Sequence, residues 1–214
     1  MKSFSVTLLM ALFVASSLFA QSDKYTGAMK KNIAELDAAL KNNSMAELAG
    51  NFERIATAEK TQWLPYYYAA YCTVMSAYME QDKSKTDAIA DKADAFIKKA
   101  EELAGAENSE TCIIKSIIAS AHMMVYPQAR WMQYGQTSAS NIEKAKKMDA
   151  TNPRSFYLDA QSKFYTPEAF GGGKTVAKPI FEKAIELFGS FKPASELHPS
   201  WGLTSAQYFL SQCN

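Results

Sequence analysis

Trp63-Leu64-Pro65-Tyr66-Tyr67-Tyr68-Ala69-Ala70-Tyr71-Cys72-Thr73-Val74-Met75-Ser76-Ala77-Tyr78 decides the fold. Trp63, Tyr67, Ala70, Val74 and Tyr78 recur at steps of four, three, four and four, which puts them on one helix face. Pro65 falls in the first turn, where its missing N–H removes no intrahelical bond. Tyr66, Tyr67 and Tyr68 are consecutive and cannot all point one way. At least one ring therefore turns toward a neighbouring helix, a groove or water.

The same period extends in both directions. Upstream, Met29, Ile33, Leu36 and Leu40 predict a helix over about 25–40. Ser44 with Glu47 three residues later predicts a capping box opening a second helix, with Leu48, Phe52 and Ile55 inward. Downstream, Gln81 to Lys85 reads as a polar joint before a helix over about 86–104, which Gly105 stops. Ile113, Ile114, Ile117, Ile118 and Ala121 make the next helix apolar nearly all round, the pattern of a helix at the centre of a stack, and Tyr126-Pro127 ends it. A sixth helix carries Trp131, Tyr134, Ser138, Ile142, Ala145 and Met148 on its stripe. Asn152 caps a seventh, with Pro153 at its first position and Phe156, Ala160 and Phe164 inward. An eighth helix turns Ile180, Ala184, Leu187 and Phe188 inward, and a short one over about 201–213 covers the end. The reading is all-α.

Bulk properties agree. The 214 residues suit a single domain, and 48% hydrophobic with 21% charged residues is globular composition. Nine Gly and seven Pro are few for this length, against average usage of about 12%. Residues 1–20 stand apart: Lys2, an apolar run from Val6 to Val14, then small residues ending at Ala20 predict a cleaved secretory signal, leaving 21–214 as one helical domain. Removing them takes away one cation, so 22 Lys+Arg face 22 Asp+Glu. That neutrality argues against a nucleic-acid or anionic-membrane binder, and no later segment is long and apolar enough to insert into a membrane. An exported chain meets oxidising conditions. Cys72, Cys112 and Cys213 leave at least one thiol unpaired, and one disulfide among them stays open.

The paired helices resemble tetratricopeptide repeats. Trp63 to Ala70 looks like that family's first-helix pattern, Asn152-Pro153-Arg154 with Phe156 and Ala160 like a repeat boundary, and Phe181 to Phe188 like a second helix. First helices near 63, 111 and 154 step by 48 and 43 residues against the family's 34, so helices or joints are longer here. The signal, the Asn152-Pro153-Arg154 turn and the Phe170–Lys174 loop are also similar to a group of envelope proteins of this type. The resemblance implies an α-α superhelix of about four hairpins with a capping helix. It also implies a concave groove lined by first-helix positions off the core: Tyr68, Tyr71, Arg154, Tyr157 and Gln161.

Tyrosine with arginine is interface chemistry. The expected function is therefore non-catalytic binding of a protein or peptide in that groove, in the periplasm or outside the cell. The alternative is an aromatic pocket for a small ligand, carbohydrate or peptide, with the Phe170–Lys174 loop at its rim. Gly171, Gly172, Gly173 and Lys174 precede a helix and form a candidate anion-binding loop; the competing reading is a tight interhelical connection. A P-loop is excluded, since Glu168 stands where its first glycine belongs and no strand precedes it. His122 and His198 lie in no triad or metal-ligand spacing, so no catalytic residue, metal or cofactor is expected.

Overall fold

The structure is a computed structural model and describes residues 23–213. The signal segment at 1–20 lies outside the described residues. The chain forms α1 (23–34), α2 (Leu36–Asn42), α3 (Met45–Glu59), α4 (Trp63–Met79) and α5 (Thr86–Ala104). It continues with α6 (Ser109–Val125), α7 (Pro127–Arg130), a π-helical turn (Trp131–Gly135) and α8 (Gln136–Met148), then α9 (Pro153–Tyr165), α10 (Lys174–Ser190) and α11 (Leu203–Ser211). No strand occurs among the described residues. Helices stack in chain order: α4 between α3 and α5, α6 between α5 and α8, α9 against α8 and α10, with α11 on α10. One core runs through the stack, from Phe52 and Tyr68 through Ile97, Ile113 and Ile114 to Phe181.

Most predicted elements appear at the expected positions. Gly105 closes α5 in the left-handed region at φ 82°. Asn152 Oδ1 accepts from the Arg154 N–H at 3.1 Å, capping α9 with Pro153 in its first turn. Three expectations fail locally. The predicted first helix breaks at Glu35 into α1 and α2. Ser44 makes no side-chain cap bond; the reciprocal capping box belongs to Asn108 and Thr111 at α6, with bonds of 3.1 and 3.0 Å. The sixth helix runs unbroken over 127–148 but widens into a π turn at Trp131–Gly135, and Trp131, expected on its inward stripe, is exposed.

Tyr67 near the start of α4, Glu110 at the start of α6, and Arg154 at the start of α9 meet, as the next section details. Tyr78 near the end of α4 donates to the Ile117 carbonyl of α6 at 3.0 Å. α4 and α6 therefore run the same way, and their exits lie away from Glu110.

Candidate functional site

The expected groove residues do converge. They are covered. Glu110 joins the three helices: its Oε2 accepts from Tyr67 Oη and Arg154 Nε, both at 3.1 Å, and its Oε1 accepts from Asn152 Nδ2 at 2.6 Å and from Arg154 Nη2. The chain beyond α10 lies over this network. Trp201 Nε1 donates to Tyr67 Oη at 2.9 Å, Tyr68 Oη donates to the Leu197 carbonyl at 3.0 Å, and the Arg154 guanidinium stacks on Phe191 at 4.8 Å. Tyr157 meets Phe209 of α11, and Gln161 Nε2 donates to Tyr157 Oη at 3.3 Å. Tyr68, Tyr71, Arg154 and Tyr157 are buried and present no open surface in this conformation, and Gln161 is half-buried. Burial pushes their phenols upward, Tyr157 to about 12 and Tyr71 well above the usual range, because a tyrosinate would lose its hydration.

The glycine loop is a tight connection. The N–H groups of Gly171, Gly172 and Gly173 donate to the carbonyls of Glu168, Pro167 and Lys163 at 2.9, 3.3 and 2.9 Å. All three amides are thus engaged within the chain. A Cβ on Gly172 would stand 2.2 Å from the Thr166 carbonyl oxygen, which is why a side chain is excluded there. Glu168 packs against Gly173 at the start of α10, so the chain's own carboxylate lies where an external anion would approach. Lys174 places its ammonium 5.9 Å from the Phe164 ring.

The surface that sequence reasoning missed is the turn from α6 to α8. Tyr126, Trp131 and Met132 are 59, 56 and 59% exposed. The turn beneath them is firmly held. Arg130 Nη1 donates to both Asp87 carboxylate oxygens at 2.7 and 2.9 Å and to the His122 carbonyl at 3.0 Å. His122 Nδ1 lies 2.7 Å from Asp87 Oδ1, and Tyr134 stacks on the imidazole at 5.0 Å. The Arg130 and then the His122 hydrogen bond hold the Asp87 carboxyl below its usual range. Gly135 fits beside Met123, where a Cβ would touch the sulfur at 3.5 Å. The result is a rigid base presenting large apolar groups to water, on a π turn, a feature frequent at functional sites. The sequence did hold a signal for it. Met123, Met124, Tyr126, Trp131, Met132 and Tyr134 are more large apolar groups than one helix face can bury.

At the opposite end, a shallow cleft of about 480 Å³ is lined by residues including Trp63, Glu107, Asn152 and His198. Ser195 Oγ and His198 Nδ1 are 2.7 Å apart there, as neighbours within one turn of the loop. Among the described residues no cluster of His, Cys, Asp and Glu is arranged to hold a metal ion, and no helix is long and apolar enough to cross a membrane. Cys72, Cys112 and Cys213 are free thiols.

No family model and no curated protein matches the chain. A solved structure does: the HusA haemophore from Porphyromonas gingivalis, with a TM-score of 0.78 and 36% identity over 88% of this chain and 92% of that one. With that identity sustained over nearly the whole of both chains, this protein belongs to the family of the HusA haemophore.

Proposed function

We propose that the protein is a non-catalytic haem-binding protein of the bacterial envelope, and that the tetrapyrrole lies on the turn carrying Tyr126, Trp131 and Met132. The observation that carries this reading is the similarity to a haemophore along almost the whole chain. The exposed turn is its local support. Haem is a flat apolar disc with two carboxylates on one edge. Its faces need broad, polarisable contacts, which an indole, a phenol ring and a thioether supply. Covering three large side chains contributes up to roughly 1.5–3 kcal/mol each, set against the cost of association. The Asp87–His122–Arg130 cluster fixes the turn beforehand, so little ordering cost falls on binding. The carboxylate edge would stay in water.

A peptide in the tyrosine groove has less support, because Trp201 and Phe209 already fill that space. The test is a hemin titration of the purified protein followed by the Soret band. A saturable one-to-one band shift is expected. A linear, unsaturated response like that of hemin in buffer would refute haem binding.

A further inference from the structure

A second exposed apolar surface lies where α9 and α11 end. Phe170 is 80% exposed on the 3-10 turn Glu168–Phe170, Tyr165 at the end of α9 is 69% exposed, and Tyr208 of α11 is 61% exposed. Two of these rings belong to one cluster: Tyr165 and Tyr208 both meet Phe209, with centroids 5.8 and 5.5 Å away. The surroundings are basic. Lys163 stands in the last turn of α9, where its carbonyl accepts from Gly173; Lys174 opens α10 beside the Phe164 ring; Lys178 follows one turn on. Both Lys174 and Lys178 are near enough to Cys213 for their charges to act on its thiol. Glu168, the acid of the loop, is turned against Gly173 at the start of α10, where the helix dipole compensates it.

Rings with a lysine rim are what settles at a bilayer interface: aromatics sit at headgroup depth while lysine stems reach out to charged headgroups. A protein-facing patch has the opposite bias, since lysine is depleted in protein interfaces. Net charge does not decide the matter, because attraction to anionic lipid acts within about one Debye length of the local cations. We propose that this corner docks the protein on an anionic lipid surface, with Phe170 entering the headgroup layer and Lys163 and Lys174 facing the lipid charges. This goes beyond the haem reading and does not depend on it.

The experiment is co-sedimentation of the purified protein with phosphatidylcholine vesicles, with and without about a quarter phosphatidylglycerol. Wild type, Phe170→Ser and Lys163→Glu/Lys174→Glu are compared, each also titrated with hemin. Binding only to the anionic vesicles is expected, weakened on the order of tenfold by Phe170→Ser and lost in the lysine variant and at high salt, with hemin binding unchanged. Phe170 is exposed, so its replacement leaves the thermal melt in place, which circular dichroism verifies. Equal binding to neutral vesicles, no vesicle binding, or full binding by the variants overturns the proposal. Loss of hemin binding in Phe170→Ser without vesicle binding assigns the corner to haem and also overturns it. So does co-purification of an envelope protein that Phe170→Ser abolishes, in the absence of lipid binding.

Discussion

The Tyr71 ring lies flat against the Trp201 indole, with centroids 4.3 Å apart and planes at 18°. The contact joins α4 to the segment leading into α11, and it is the reason the groove is closed. Trp201 also donates to Tyr67 Oη, so one side chain seals the stack and completes the hydrogen bonding around Glu110. Trp201→Ala should therefore cost about 3–5 kcal/mol of unfolding free energy in urea titration, the range for deleting a buried aromatic. A loss under about 1 kcal/mol would mean that the segment only rests on the stack.

Arg154 is fully buried and its guanidinium shares Glu110 with Tyr67 and Asn152. Removing one member of such a pair leaves a buried charge uncompensated. Glu110→Gln and Arg154→Met should each lose about 3–5 kcal/mol, and the double variant should lose markedly less than their sum. Additive losses in the double-mutant cycle would contradict a coupled pair.

The buried tyrosines set an alkaline limit. Tyr157 is raised to about 12, and burial raises Tyr67 and Tyr71 well above their usual value near 10. A raised phenol means the folded state binds more protons than the unfolded one. That stability is complete below about pH 10 and declines as pH climbs toward the folded values. Tyrosinate absorbance from these rings should appear together with loss of helical circular dichroism. Ionisation of all eleven tyrosines near pH 10 with helix intact would contradict the burial of these three.

Cys213 is half-buried, whereas Cys72 and Cys112 lie within the core. A thiol reagent should modify one cysteine in the native protein and three after denaturation, as counted by mass spectrometry. Native modification of Cys72 would show the α4 packing to be wrong.

Helix positions were legible in the sequence because apolar period and caps act locally: α5 and α9 follow from Gly105 and from Asn152-Pro153. The groove was half legible. Tyr68, Tyr71, Arg154 and Tyr157 lie in one buried region, but their covering comes from Leu197, Trp201 and Phe209, and nothing local in residues 189–213 says which face they pack on. The Trp131 turn was hidden for a different reason. A fixed 3.6-residue period places Trp131 on the stripe with Tyr134 and Ser138, and the π turn rotates it off.

The most direct test of the central claim is a hemin titration of wild type beside Trp131→Ala/Met132→Ala, with thermal melts recorded for both. Both side chains are exposed, so the melts should agree within a few degrees while hemin affinity falls at least about tenfold. Equal hemin affinity in the two proteins would contradict the assignment of haem to this turn.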